Sequence, residues 1–200
     1  MISSFTAEKL ACARGDRKLF ENLSFRVRAG QALAVEGANG SGKTSLLRLI
    51  AGFLSPAAGR LIVQDASGDS DDAEERGKKI GWLGHHDGLK PQLTVQEQLT
   101  FWAALYRGTA SRDALAQVGL ARQADLPCRY LSAGQKRRLA LARLLVSNRP
   151  LWLLDEPFAA LDTAGQALVA QLMALHCGQG GIIIAATHDP LGLSNESLKL

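Results

Sequence analysis

Gly37-Ala38-Asn39-Gly40-Ser41-Gly42-Lys43-Thr44 lies between an apolar run, Ala32 to Val35, and a helical pattern through Leu46, Leu47, Leu49 and Ile50. The stretch matches G-x-x-x-x-G-K-[ST]. Its setting after a predicted strand and before a predicted helix gives that pattern physical meaning. Glycines let the backbone curl until successive N–H groups converge on an anion, and the N-terminus of the following helix adds positive potential. Lys43 can reach the β- and γ-phosphates of a nucleotide, and the Thr44 hydroxyl can ligate Mg²⁺. Gly37 through Ser45 is therefore the candidate nucleotide-binding loop.

Downstream, Leu151-Trp152-Leu153-Leu154-Asp155-Glu156 reads as a buried strand ending in two carboxylates. In an open parallel sheet, an acid at a strand's C-terminal end shares its edge with the ligand. Asp155 suits Mg²⁺, directly or through water. Glu156 suits a general base that orients and deprotonates an attacking water.

Around these two stretches the chain alternates strands with helices. Leu23, Phe25 and Val27 alternate with Ser24, Arg26 and Arg28, and Ala29-Gly30 turns the chain. Gly52 and Pro56 end the first helix, and Leu61 to Val63 is a short strand. Asp65 to Lys79 reads as a solvated loop, since Asp69, Asp71 and Asp72 lack the glycine and closing Glu of a calcium loop. Thr94 with Glu97, and Ser132 with Gln135, have the spacing of capping boxes. The first opens a stripe through Leu99, Trp102, Leu105 and Tyr106, most of it expected in the core, and the second opens a helix through Leu145. A short helix is expected from Ser111 to Val118. Asp162 is expected to cap a helix reaching His176, and Ile182 to Ala186 is a last buried strand. The pattern predicts one α/β domain over 1–200, with a mostly parallel sheet, N-terminal strands and a helical subdomain at about 86–147.

Composition narrows the setting. The 200 residues are 46% hydrophobic and 21% charged, which excludes a disordered or collagen-like chain. A net charge of +4 permits an anionic ligand but lacks the dense basic stripe of a nucleic-acid binder, so no nucleic-acid partner is expected. Cys12, Cys128 and Cys177 form no paired spacing and read as buried or idle reduced thiols. No apolar run approaches the ~20 residues of a membrane span, and no secretory signal is recognised at the N-terminus.

Leu131-Ser132-Ala133-Gly134-Gln135 resembles the Leu-Ser-Gly-Gly-Gln signature of the ATP-binding cassette (ABC) ATPases. The order of phosphate loop, signature, Asp155-Glu156, Ala160-Leu161-Asp162 and Thr187-His188 resembles that family over almost the whole chain. The resemblance implies a P-loop NTPase fold of ABC type that binds and hydrolyses MgATP. It implies that the signature meets ATP held by a second copy, in a head-to-tail ATP sandwich. Asp162 would belong to the D-loop, and His188 would contact the γ-phosphate and the attacking water.

Three positions depart from the family pattern. Ala133 replaces a Gly, and its methyl is small enough for the backbone approach to survive. His85 falls where a catalytic-site Gln is usual, and histidine changes charge near neutral pH. Arg14 falls where an aromatic usually stacks on adenine, and a guanidinium plane can stack there instead. Gly84-His85-His86-Asp87-Gly88-Leu89-Lys90, with Arg14 and Leu131 to Arg138, resembles the CcmA family of cytochrome c maturation ATPases. That resemblance implies a separately encoded membrane-spanning subunit. It also implies a peripheral position on the cytoplasmic face of a bacterial inner membrane, and a role in haem export or haem-chaperone release.

Overall fold

A computed structural model describes residues 1–15, 17–108 and 112–200, with Arg112 described in its backbone alone. In chain order the strands and helices are β1 (Ile2–Arg14), β2 (Arg17–Arg28), β3 (Ala32–Glu36), α1 (Lys43–Ile50), β4 (Ala58–Asp65), β5 (Gly68–Ser70), α2 (Ala73–Gly77) and β6 (Ile80–Leu83). They continue as α3 (Val95–Tyr106), α4 (Arg112–Gln117), α5 (Ala133–Ser147), β7 (Leu151–Asp155), α6 (Thr163–Gly178), β8 (Ile182–Ala186) and β9 (Glu196–Lys199).

The strands form two sheets. One is antiparallel, ordered β2-β1-β4-β5; the other runs β6-β7-β8-β3-β9, with every pairing in it parallel. This matches the expected α/β architecture with N-terminal antiparallel strands. In the parallel sheet β7 and β8 are buried at every position, which is why they read as continuous apolar runs rather than alternating ones. β1, β2 and β4 alternate instead, with Phe5 opposite Val27 on one side and Val63 on the other.

Helix α1 lies in the core cluster shared by both sheets, with Leu46, Leu47, Leu49 and Ile50 fully buried. Burial of each such side chain contributes about 1.5–3 kcal/mol. The second cluster joins the other face of the parallel sheet to α3, α4, α5 and α6. Leu99 and Trp102 of α3 belong to it, but Leu105 is 62% exposed, so the apolar stripe is not wholly core.

Both expected capping boxes are present. Thr94 Oγ1 accepts from the Glu97 N–H while Glu97 Oε2 accepts from the Thr94 N–H. Ser132 and Gln135 do the same. Asp162 Oδ1 accepts from the Gly165 N–H at 2.8 Å and opens α6, which runs two residues past His176.

The stretch from Asp65 to Lys79 is not a plain loop. It closes a β4–β5 hairpin and then forms α2, capped by Asp72. Arg76 is the reason: its buried guanidinium donates Nε–H to the Ile50 carbonyl at the end of α1 and Nη1–H to the backbone carbonyl of Asp71. The expected start of α4 at Ser111 lies outside the described residues.

The three cysteines are free and buried, as expected, and burial pushes each thiol up. At the N-terminal edge of the parallel sheet His176 stacks on Trp152, with ring centroids 3.9 Å apart. Burial there pushes the imidazole down to about 4, so it is neutral at pH 7. No helix among the described residues is long and apolar enough to cross a membrane.

Candidate functional site: a phosphate cradle and a second helix start

The register of the parallel sheet aligns Val35, Ala186 and Asp155 in one row across β3, β8 and β7. Three adjacent strands therefore release their chains at one edge, and the polar residues that follow them converge. They line a half-open cavity of about 770 Å³ that includes Arg14, Lys43, Thr44, His85, Asp155 and Glu156.

The loop after β3 reaches α1 through Gly42, whose φ of +111° no side-chain-bearing residue adopts without strain. A Cβ there would also press on Phe20. Gly42 is the N-cap of α1 but supplies no side-chain cap. Among the described residues nothing accepts from the Lys43, Thr44 or Ser45 backbone N–H, so these donors remain for an anion. Lys43 is 8% exposed; its Nζ donates to the Gly37 carbonyl at 2.7 Å and lies 3.4 Å from that of Ala38. The same Nζ is 3.0 Å from His188 Nε2, which is itself 3.1 Å from Asn39 Oδ1. One ring nitrogen can accept from Lys43 or donate to Asn39, not both. Gly37, Ala38, Asn39, Lys43 and His188 are thus one polar knot.

Thr44 Oγ1 stands 3.2 and 3.1 Å from the two oxygens of Asp155. A hydroxyl and a carboxylate side by side are oxygen donors of the kind a hard divalent cation takes. Glu156 follows at a φ of +50°, and its N–H donates to the Ala186 carbonyl at 2.8 Å. That turn aims the side chain back toward β8, where Glu156 Oε1 lies 3.7 Å from His188 Nε2. Ser41 and Gly40 belong to the same loop, and Gly40 lines the cavity with Ser45. His85 is exposed on the opposite wall, with its ring 5.4 Å from that of His86. Among the described residues no cluster of three metal-ligating side chains exists. Arg14, at the end of β1 and paired in register with Arg17, forms the rim.

The signature residues do not join this cavity. Leu131 is buried and Ser132 exposed, and Ala133 opens α5 with its methyl toward solvent. The box satisfies the Ser132 and Gln135 N–H groups, whereas the Ala133 and Gly134 N–H groups have no partner among the described residues. Gly134 packs against the Ala160 carbonyl so closely that a Cβ would meet it at 2.9 Å. Asp162 also lies outside the cavity lining.

Sequence reasoning missed one residue that touches several parts of the site. Arg137 of α5 is 3% exposed and donates to the backbone carbonyls of Asp155 and Glu156. The sequence does not single it out: Lys136, Arg137 and Arg138 each have buried residues three and four positions on, so helical phase favours none of them.

The ABC transporter family model matches residues 20–159, and the chain belongs to that family of ATPases. A solved chain from Pyrococcus furiosus, described as an ABC transporter ATP-binding protein, superposes with a TM-score of 0.85 at 24% identity, covering 99% of this chain and 98% of that one. An ATP-binding cassette solved as a dimer in a post-hydrolysis state with ADP and Pi gives a TM-score of 0.77 at 27% identity, covering 92% and 88%. Within the family, the chain is 50% identical to the cytochrome c biogenesis ATP-binding export protein CcmA of Rhodopseudomonas palustris, over 96% of this chain and 94% of that protein. The protein of the same name from Bradyrhizobium diazoefficiens is 49% identical, over 98% and 96%. The chain is a member of the CcmA family.

Proposed function

We propose that this chain is a single nucleotide-binding domain that powers a separately encoded membrane-spanning subunit in c-type cytochrome biogenesis, in haem export or haem-chaperone release. It would act at the cytoplasmic face of a bacterial inner membrane. The observation that carries the biological part is the identity of about half the residues, over nearly full length, with relatives bearing that function in their name.

The chemical part rests on the cavity. The free N–H groups of Lys43, Thr44 and Ser45, with the Lys43 ammonium, hold the phosphates of ATP. Arg14 flanks the base with its guanidinium plane. Thr44 and Asp155 would hold Mg²⁺, which when bound neutralises charge on the β- and γ-phosphates. A water attacks the γ-phosphorus, the bond to the ADP oxygen breaks, and the water's proton passes to the Glu156 carboxylate. His188 and His85 flank the γ-phosphate and that water from opposite walls. A second copy turns its α5 toward this ATP, so that Ser132, the free Ala133 and Gly134 N–H groups and Gln135 close the site, with Leu131 anchoring the turn and Asp162 at the contact between copies.

Replacing Glu156 by Gln keeps shape and removes the base. ATP binding should persist and an ATP-bound dimer accumulate, while turnover falls about 10²-fold or more. Near-normal turnover would remove Glu156 from the role. For the biological part, a Lys43→Ala strain should lose covalently haem-loaded c-type cytochromes and keep proteins that bind haem non-covalently. Normal c-type cytochromes in that strain would leave transport of another substrate as the reading.

A further inference from the structure

Arg137 sits in the second turn of α5, the helix that Ser132 and Gln135 cap. Its Nη2 donates to the carbonyls of Asp155 and Glu156, each at 2.6 Å. Its Nη1 donates to the Gly84 carbonyl at 2.8 Å and meets Asp87 Oδ1 at 3.2 Å. One side chain therefore ties the signature helix to the two acids at the end of β7 and to the loop that carries His85. The fork of a planar guanidinium makes this possible, and a lysine ammonium could not span the same acceptors.

The tie acts on a strained point. Glu156 is held at a φ of +50°, a conformation that is strained for a non-glycine residue and persists where the surroundings over-determine it. Two contacts do so here. The Glu156 N–H is fixed by the Ala186 carbonyl at the end of β8, and its C=O by Arg137. The Arg137 Nε–H has no partner among the described residues, so the guanidinium sits where its fork is used rather than where all its donors are met. A buried donor left unpaired is a stability cost.

We propose that Arg137 is a positioning residue that couples the two nucleotide sites of the dimer: when α5 seats on ATP held by the partner copy, Arg137 draws this chain's Glu156 and His85 loop into register for its own ATP. The proposal rests on the head-to-tail pairing proposed above. The α5 helix is continuous from Ala133 to Ser147, so a shift of its first turn moves Arg137 with it. A displacement of about 1 Å at a reacting group can cost about 10²-fold in rate, so a small shift suffices.

The test uses the purified full-length chain and compares the parent with Arg137→Lys. ATP turnover is measured against ATP concentration, together with affinity for a fluorescent ATP analogue and the melting temperature. The parent should show a Hill coefficient above one. Arg137→Lys should lower kcat about tenfold or more and bring the Hill coefficient toward one, with analogue affinity within about twofold of the parent. A merely structural role would lower the melting temperature and leave the cooperativity of the folded fraction unchanged.

If loss of the fork prevents folding, Asp87→Asn carries the test. It leaves both carbonyl contacts on the β7 side and the Gly84 contact in place and removes only the charge that Asp87 sets against Arg137 beside the His85 loop, so kcat and Hill coefficient should fall in the same direction by a smaller amount. Unchanged kcat and cooperativity in a folded variant, or non-cooperative turnover by the parent, would overturn the proposal. Failure of the pairing itself reads differently: Glu156→Gln would then form no ATP-dependent dimer in size-exclusion chromatography, whatever Arg137 does.

Discussion

The starts of α1 and α5 solve the same problem in opposite ways. Every helix begins with N–H groups that have no partner within it. At α1 the cap is a glycine with no side chain to offer, and the donors of Lys43, Thr44 and Ser45 stay open over the cavity. At α5 a reciprocal box closes the Ser132 and Gln135 donors and leaves those of Ala133 and Gly134 free. Helix α3 shows what full closure looks like. It has the same kind of box, and the next two donors, of Val95 and Gln96, reach the carbonyls of Leu126 and Ala124. The box of α3 closes with Glu97, an anion, whereas that of α5 closes with Gln135, a neutral amide. A phosphate can approach α5 without meeting a carboxylate, and it cannot do so at α3. On the proposed function, the open start binds without help, the half-closed start binds something brought to it by a second molecule, and the closed start is structure alone.

The largest effect should come from the open start. Lys43→Ala removes a buried ammonium that, on the proposed function, holds the phosphates. Affinity for a fluorescent ATP analogue should fall about 10²-fold, the scale of one or two lost charge-assisted hydrogen bonds. Retained affinity would mean the open N–H groups alone hold the nucleotide.

The second variant turns α5 into a copy of α3. Gln135→Glu keeps the capping box, so the melting temperature should hold within about 1–2 °C, a fraction of a kcal/mol for a chain of this size. The new carboxylate should weaken ATP-dependent dimerisation about tenfold in a Glu156→Gln background, read by size-exclusion chromatography. Unchanged dimerisation would erase the distinction between the two boxes.

The third comparison is a matched pair. Ser132→Ala and Thr94→Ala should each cost about 1 kcal/mol of stability as lost N-caps, read by thermal unfolding. Turnover should drop several-fold in Ser132→Ala and stay at the parent value in Thr94→Ala. Equal losses of turnover would show that cap stability, not contact with nucleotide, is being measured.

The smallest effect is a pH dependence that α3 has and α5 lacks. The Thr94 backbone N–H, and then its hydroxyl, hold the Glu97 carboxyl below the usual carboxylate range. A depressed folded value means the box contributes stability above the unfolded pKa and loses it as pH falls through the folded one. Glu97→Gln should therefore flatten part of the loss of melting temperature below about pH 4.5, Glu97 being exposed and its share small. No flattening would mean the Glu97 carboxylate adds nothing that an amide does not.

The legible parts of this molecule share one property: their meaning is complete within a few consecutive residues. The phosphate loop, both capping boxes and the Asp162 cap are local backbone chemistry, and β8 throughout and β7 up to Leu154 are apolar because both faces of their sheet are covered. What stayed hidden depends on partners far along the chain. Strand β9 is mostly exposed, and its Glu-Ser-Leu-Lys shows no buried periodicity; its pairing with β3, 163 residues earlier in the register Leu33 to Glu196, makes it a strand. Helix α2 rests on the bond from Arg76 to Ile50.

By itself, the sequence determined that a loop with the phosphate-binding pattern lies between strand and helix, and that two acids end a buried strand. Spacing along the backbone carries that information, and a hydrogen bond to a neighbouring residue does not need the fold to be known. Only the tertiary structure decided that Lys43, Asp155, Glu156 and His188 share one edge of one sheet, because that depends on the order β7-β8-β3 and on registers between distant segments. It also decided that Arg137, one of three adjacent basic residues, is the one turned inward to tie the signature helix to the acids. A charge's partner is set by which helix face the core covers, and the core is assembled from the whole chain.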